Sequence, residues 1–94
     1  AVGQAGAGPR ELSRRGDAVC WASRAPGGGR YLALFNMGEK PAEAGIGPSE
    51  LGLKCPWAVR DLWSRSDLGS FEDGFRAALP PHGAGLYRVL RAKG

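Results

Sequence analysis

Ninety-four residues leave room for one small domain, burying roughly 60–65% of its unfolded surface, and not for a second. Sixteen glycines and seven prolines in a chain that is 43% hydrophobic exclude long helices. The net charge of +4 comes from 13 basic and 9 acidic residues; ten of the basic ones are arginines, dispersed except for Arg14-Arg15, which gives no concentrated footprint for nucleic acid.

In chain order, residues 1–14, diluted by Gly3, Gly6, Gly8 and Pro9, read as a lead-in to a domain spanning residues 15–94. Asp17 to Ser23 is the first expected strand, Ala25-Pro26-Gly27-Gly28-Gly29 a flexible turn, and Arg30 to Met37 a second strand that closes a hairpin. Tyr31-Leu32-Ala33-Leu34-Phe35 is apolar on both parities, so both of its faces must be covered and the strand is central. A polar turn over residues 36–41 leads to a weak edge strand, Ala42 to Gly47, thinned by Gly45 and Gly47. Residues 48–53 hold at most one helical turn, with Leu51 and Leu53 closing the core.

From Trp57 to Trp63 the chain alternates Trp57, Val59 and Trp63 with Ala58, Arg60 and Ser64, the period of two of a half-buried strand, interrupted at Leu62. Asp67 to Ser70 reads as a turn feeding a strand from Phe71 to Leu79, whose Phe71, Phe75, Ala77 and Leu79 point inward. Pro80-Pro81-His82-Gly83 then turns the chain into a last strand, Ala84 to Arg91. The expected fold is all-β, a two-sheet antiparallel sandwich of about six to eight short strands with Greek-key-like connections.

Chemistry-bearing residues are sparse. Cys20 and Cys55 lack metal-ligand spacing, and Cys20, between Val19 and Trp21, is expected to be a small buried hydrophobe, with a Cys20–Cys55 bridge as the alternative. No metal or cofactor is expected. Asp67 and Asp73 read as turn and surface carboxylates, and Asp61, sharing parity with Val59 and Trp63, as an inward acceptor of backbone N–H or arginine hydrogen bonds. His82 is the single histidine and belongs to its turn, and no serine sits in a nucleophile elbow, so no catalytic residue is expected. Trp21, Tyr31 and Trp57 are the candidates for stacking on a sugar ring, weighed against simple core packing, which is also the expectation for Trp63. No apolar run reaches the ~18–20 residues of a membrane helix, and the first residues lack a signal-peptide layout, so a soluble segment without membrane contact is expected. Whether its parent is secreted or cytoplasmic is not encoded here.

Six segments in series, Val19-Cys20-Trp21, Tyr31 to Asn36, Leu51-Gly52-Leu53, Val59-Arg60-Asp61-Leu62-Trp63, Asp67-Leu68-Gly69 and Pro80-Pro81-His82-Gly83, closely resemble the C-terminal β-sandwich domain of family 27 glycoside hydrolases. These are the α-galactosidases, or melibiases, and α-N-acetylgalactosaminidases. Val2-Gly3-Gln4-Ala5-Gly6 is similar to the family's segment between its catalytic (β/α)8 barrel and this domain. The resemblance implies a non-catalytic accessory domain that packs on and stabilises the barrel, where two aspartates perform retaining hydrolysis. Neither of the barrel's aspartate motifs has a counterpart in these residues. It further implies an exposed apolar patch on one sheet, uncovered when the barrel is absent. The alternative is a module that binds galactose-containing oligosaccharides.

Overall fold

Short apolar runs between turn residues fold, in a computed structural model that describes residues 10–92, into eight strands, one α-helical turn and a 3-10 turn over Pro26–Gly28. The strands are β1 (Arg10–Arg15), β2 (Ala18–Arg24), β3 (Arg30–Asn36), β4 (Ala42–Ile46), β5 (Trp57–Asp61), β6 (Ser66–Phe71), β7 (Phe75–Leu79) and β8 (Ala84–Arg91); α1 is Pro48–Leu51. Six strands form an antiparallel sheet in the order β1-β2-β3-β8-β5-β6, and β4 pairs with β7 in a small second layer. After β3 and again after β6 the chain leaves the larger sheet for the smaller and returns, the weave expected of a Greek-key-like sandwich.

Between the layers lies the core. Leu32, Leu34, Trp57 and Val89 of the larger sheet have no exposed surface, and they face Ala44, Ile46, Phe75 and Leu79 of the smaller one. Phe71, Phe75 and Tyr87 meet edge to face, with centroids 5.0 and 4.8 Å apart, the arrangement the ring quadrupole favours. Trp57 donates its indole N–H to the Leu53 carbonyl at 2.9 Å, so its one polar atom is satisfied inside. Cys20 is buried on β2, Cys55 is half-buried before β5, and both are free; burial, helped by the charge of Glu50, pushes the Cys20 thiol up to about 12.

One buried polar residue ties an end of the sandwich together. Asn36, at the end of β3, donates through Nδ2 to the carbonyls of Lys40 (2.7 Å), Pro80 (3.0 Å) and Leu79 (3.2 Å), and its Oδ1 accepts from the Gly38 amide at 3.0 Å. Its own amide donates to Gly83 O at 2.8 Å, the next amide, of Met37, donates to Asp17 O at 2.7 Å, and His82 N donates to Gly38 O at 3.2 Å. Three loops, after β1, β3 and β7, are thereby fixed to one side chain and its neighbours.

Several elements differ from the sequence reading. Arg10–Arg15, placed in the lead-in, form β1 and pair with β2, while the expected linker segment Val2 to Gly6 lies outside the described residues. The strand from Trp57 ends at Asp61, because its carboxylate accepts from the amides of Trp63 (2.9 Å) and Ser64 (3.1 Å) and bends the chain. Parity stops there, and Trp63, expected in the core, is 64% exposed. Asp67 to Ser70, expected as a turn, belongs to β6, an exposed edge strand whose pairing with β5 shifts register at Gly69, a glycine with φ 104°. The predicted single strand from Phe71 to Leu79 is broken at Gly74, where φ is 105° and a Cβ would run into the Ile46 carbonyl, so Phe71 ends β6 and Phe75 begins β7. Both phenylalanines still reach the core.

Replacing Asn36 by Ala removes four hydrogen bonds and orphans buried carbonyls, and is expected to cost about 3 kcal/mol in urea unfolding. Asn36→Asp directs a carboxylate at three carbonyl oxygens and loses at least as much at neutral pH. It recovers part of the loss as the pH falls, because the protonated acid donates again. Unfolding midpoints equal to the parent's in both variants contradict this role.

Candidate docking face

A strand buried on one side shows alternate residues to the other, and in the larger sheet those outward residues line up in rows across the strands. Register places Val19, Phe35 and Ala84 in one row, and Trp21, Ala33 and Leu86 in the next. Tyr31, Arg88, Arg60 and Asp67 form the third row, and Leu90 and Ala58 the fourth. From the strand spacings these rows cover about 15 Å across the strands and about 20 Å along them. Phe35, Ala33 and Leu86 are half-buried by one another, and no second layer lies over them among the described residues. The doubly apolar Tyr31 to Phe35 run, expected to have both faces covered, is left without a covering layer on this one among the described residues.

Polar groups bound this face. On the β1 side Arg14 donates to Glu11 at 2.8 Å, beside Val19 and Trp21, and that hydrogen bond holds the Glu11 carboxyl below the usual carboxylate range and raises Arg14. Toward β6, Arg60 donates to Asp67 at 2.8 Å. An apolar centre with a charged rim is the anatomy of a protein interface. The opposite outer surface, on β4 and β7, presents Glu43, Gly45, Arg76 and Ala78 instead. Of the large apolar residues with the most exposed surface, Trp21 lies in these rows and Leu68 on the edge strand β6, while Met37 and Trp63 lie in loops and Val19 is buried.

The candidate sugar platform is divided. Trp21, 37% exposed, and half-buried Tyr31 occupy adjoining rows of this face. Trp57 faces the other layer with no exposed surface, because its parity is that of Val59, so it has no ring face to offer. Asp61, expected to point inward, accepts the backbone N–H groups of Trp63 and Ser64 at a turn near the surface. His82 is exposed in its turn at φ 57°. Asp67 lies on the outer face beside Arg60, Asp61 has the opposite parity, and Asp73 is exposed in the turn between β6 and β7. A cleft of about 360 Å³ between the free edges of β1 and β4 is lined by Arg15, Glu43, Glu50, Asp73 and Arg76, with no aromatic ring among its described lining residues. Leu86, Arg88 and Arg60 escaped the sequence reading, although Ala84 to Leu90 is apolar on both parities apart from Gly85 and Arg88, the signal that marked β3.

A family model described as the alpha galactosidase C-terminal beta sandwich domain matches residues 15–89. The chain belongs to that family. Among solved structures it is similar to a family 27 β-L-arabinopyranosidase from Geobacillus stearothermophilus, at 33% identity and a TM-score of 0.86, over 93% of this chain and 20% of that one. α-Galactosidase I from Mortierella vinacea shares the fold, with a TM-score of 0.79 at 21% identity, over 89% of this chain and 23% of that one. An isomalto-dextranase from Arthrobacter globiformis is 35% identical over 79 residues, 82% of this chain and 12% of that protein. The chain therefore spans between about an eighth and a quarter of these relatives, all of them named as glycosidases.

The placement of the three tryptophans is open to measurement. A Trp21→Phe/Trp63→Phe variant, which keeps only Trp57, is expected to fluoresce with a blue-shifted maximum and to resist acrylamide quenching until it unfolds. The Trp57→Phe variant is expected to emit red-shifted, readily quenched light. Easy quenching of the first variant contradicts the placement.

Proposed function

We propose that the chain is a non-catalytic accessory domain of an α-galactosidase-like retaining glycoside hydrolase, which seats the outer face of its six-stranded sheet on the catalytic barrel and stabilises it. The observation that carries this reading is the apolar outer face around Phe35, Ala33 and Leu86, bounded by the Glu11–Arg14 and Arg60–Asp67 pairs. The occupant is argued from size: the relatives are roughly four to eight times longer than the stretch they share with this chain. Domain interfaces within one chain commonly bury on the order of 600–1,500 Å², and a patch of this extent suits the apolar centre of one. The domain's contribution is then to cover barrel surface, while the reacting carboxylates belong to the barrel.

A second reading has one observation behind it, the adjoining positions of Trp21 and Tyr31 on the same outer face, where two rings could support a galactose-containing glycan. The two readings compete for one surface, so a single set of variants separates them.

Adding the chain to the catalytic part of its parent enzyme, expressed without this domain, is expected to raise the melting temperature of that part. Leu86→Asp is expected to weaken the association at least tenfold while leaving the free chain folded, and titration with galactose or raffinose to give no saturable NMR shifts. An unchanged melting temperature at excess chain contradicts the docking role, and saturable shifts centred on Trp21 and Tyr31 favour the glycan reading.

A further inference from the structure

Row three of the outer face contains an arginine that the domain itself satisfies only in part. Arg88 stands on β8 between Tyr31 of β3 and Arg60 of β5, its direct partner in register. Like charges placed opposite each other across two strands repel, and Arg60 is already engaged, donating to Asp67 Oδ1 at 2.8 Å and to the Arg65 carbonyl at 3.1 Å. Arg88 makes one hydrogen bond with the described residues, from Nη2 to the Pro26 carbonyl at 3.2 Å, and its Nε is buried without an acceptor. None of the described ion pairs involves it. A guanidinium carries five N–H donors in a planar fork, and leaving the buried Nε–H unmatched beside a second cation is unfavourable for the isolated domain.

The arrangement becomes favourable once a carboxylate arrives from outside. Covering the face removes water from around Arg88, which strengthens a charge-assisted pair and makes an unpaired guanidinium costlier still. Apolar rows grip without direction; a forked ion pair next to them sets the register in which two surfaces meet. We propose that the surface docking on this face presents an Asp or Glu carboxylate to Arg88, and that this pair fixes the orientation of the domain on its partner. The inference rests on the docking reading and adds to it the chemistry of the partner at a stated position.

The test measures binding of the chain to the catalytic part of the parent enzyme at increasing NaCl, together with melting of the free chain. Arg88→Met keeps the apolar stem and removes the charge. It is expected to bind at least tenfold more weakly at low salt, to lose most of the salt dependence of the parent chain, and to melt higher than the parent when free. Arg88→Lys, which retains a point charge without the fork, is expected to bind with intermediate affinity and to keep the salt dependence; it also serves should Arg88→Met fail to fold. If Arg88→Met and Arg88→Lys both bind like the parent with the same salt slope while Leu86→Asp does not bind, docking stands and the carboxylate pair is wrong. Should Leu86→Asp also bind like the parent chain, the docking reading itself fails.

Discussion

Strand geometry sends successive side chains to opposite faces, so a strand that is apolar at every position has two faces to hide. The sandwich hides one. Leu32 and Leu34 meet the β4–β7 layer, while Tyr31, Ala33 and Phe35 look outward over a sheet with no second cover among the described residues. An antiparallel sheet that faces water normally alternates apolar with polar, and the departure from that rule in β3 and again in β8 is what makes the outer face an interface candidate. From it follow the apolar rows, the charged rims and the position of Arg88.

The two layers are unequal, six strands against two, and the small layer has to be held in place. Aromatic contacts from Phe75 to Phe71 and Tyr87 do so near the middle, and Asn36 does so at one end by gathering the carbonyls of Lys40, Leu79 and Pro80. At the free edges the larger sheet is interrupted in both outer pairings, between Glu11 and Ser13 in β1 and opposite Gly69 in β6, and such irregularities discourage edge-to-edge association. On the β1 side the shift also lets Leu12 pack against the core. The edges are blunted while the face is left apolar, which points association toward the face.

Much of this was legible in the sequence wherever side-chain pattern and backbone structure coincide. The hairpin of β2 and β3, the edge strand at Gly45, the single turn at Leu51 and the last strand from Ala84 all follow from apolar runs punctuated by Gly and Pro. Where pairing instead depends on the backbone, the pattern was silent: β6 is an exposed strand of Ser, Asp and Gly that exists because β5 hydrogen-bonds to it, and its residues imitate a turn. Trp63 was misplaced because one carboxylate, Asp61, ends the strand two residues early. Asn36 gave no signal, since a polar residue at a strand end looks like the start of a loop until two distant carbonyls, of Leu79 and Pro80, are seen to converge on it with that of Lys40. Arg88 was invisible for a similar reason, its meaning arising only when register sets it opposite Arg60.

The account turns on whether the outer sheet face is covered when the domain is at work. Hydroxyl-radical footprinting, comparing the free chain with the chain mixed with the catalytic barrel proposed as its partner, measures that directly, with fully buried Trp57 as internal reference. Slower oxidation of Trp21, Tyr31, Phe35 and Leu86 in the bound form, by several-fold, is the predicted result. Equal oxidation rates at these four residues in both forms contradict the account.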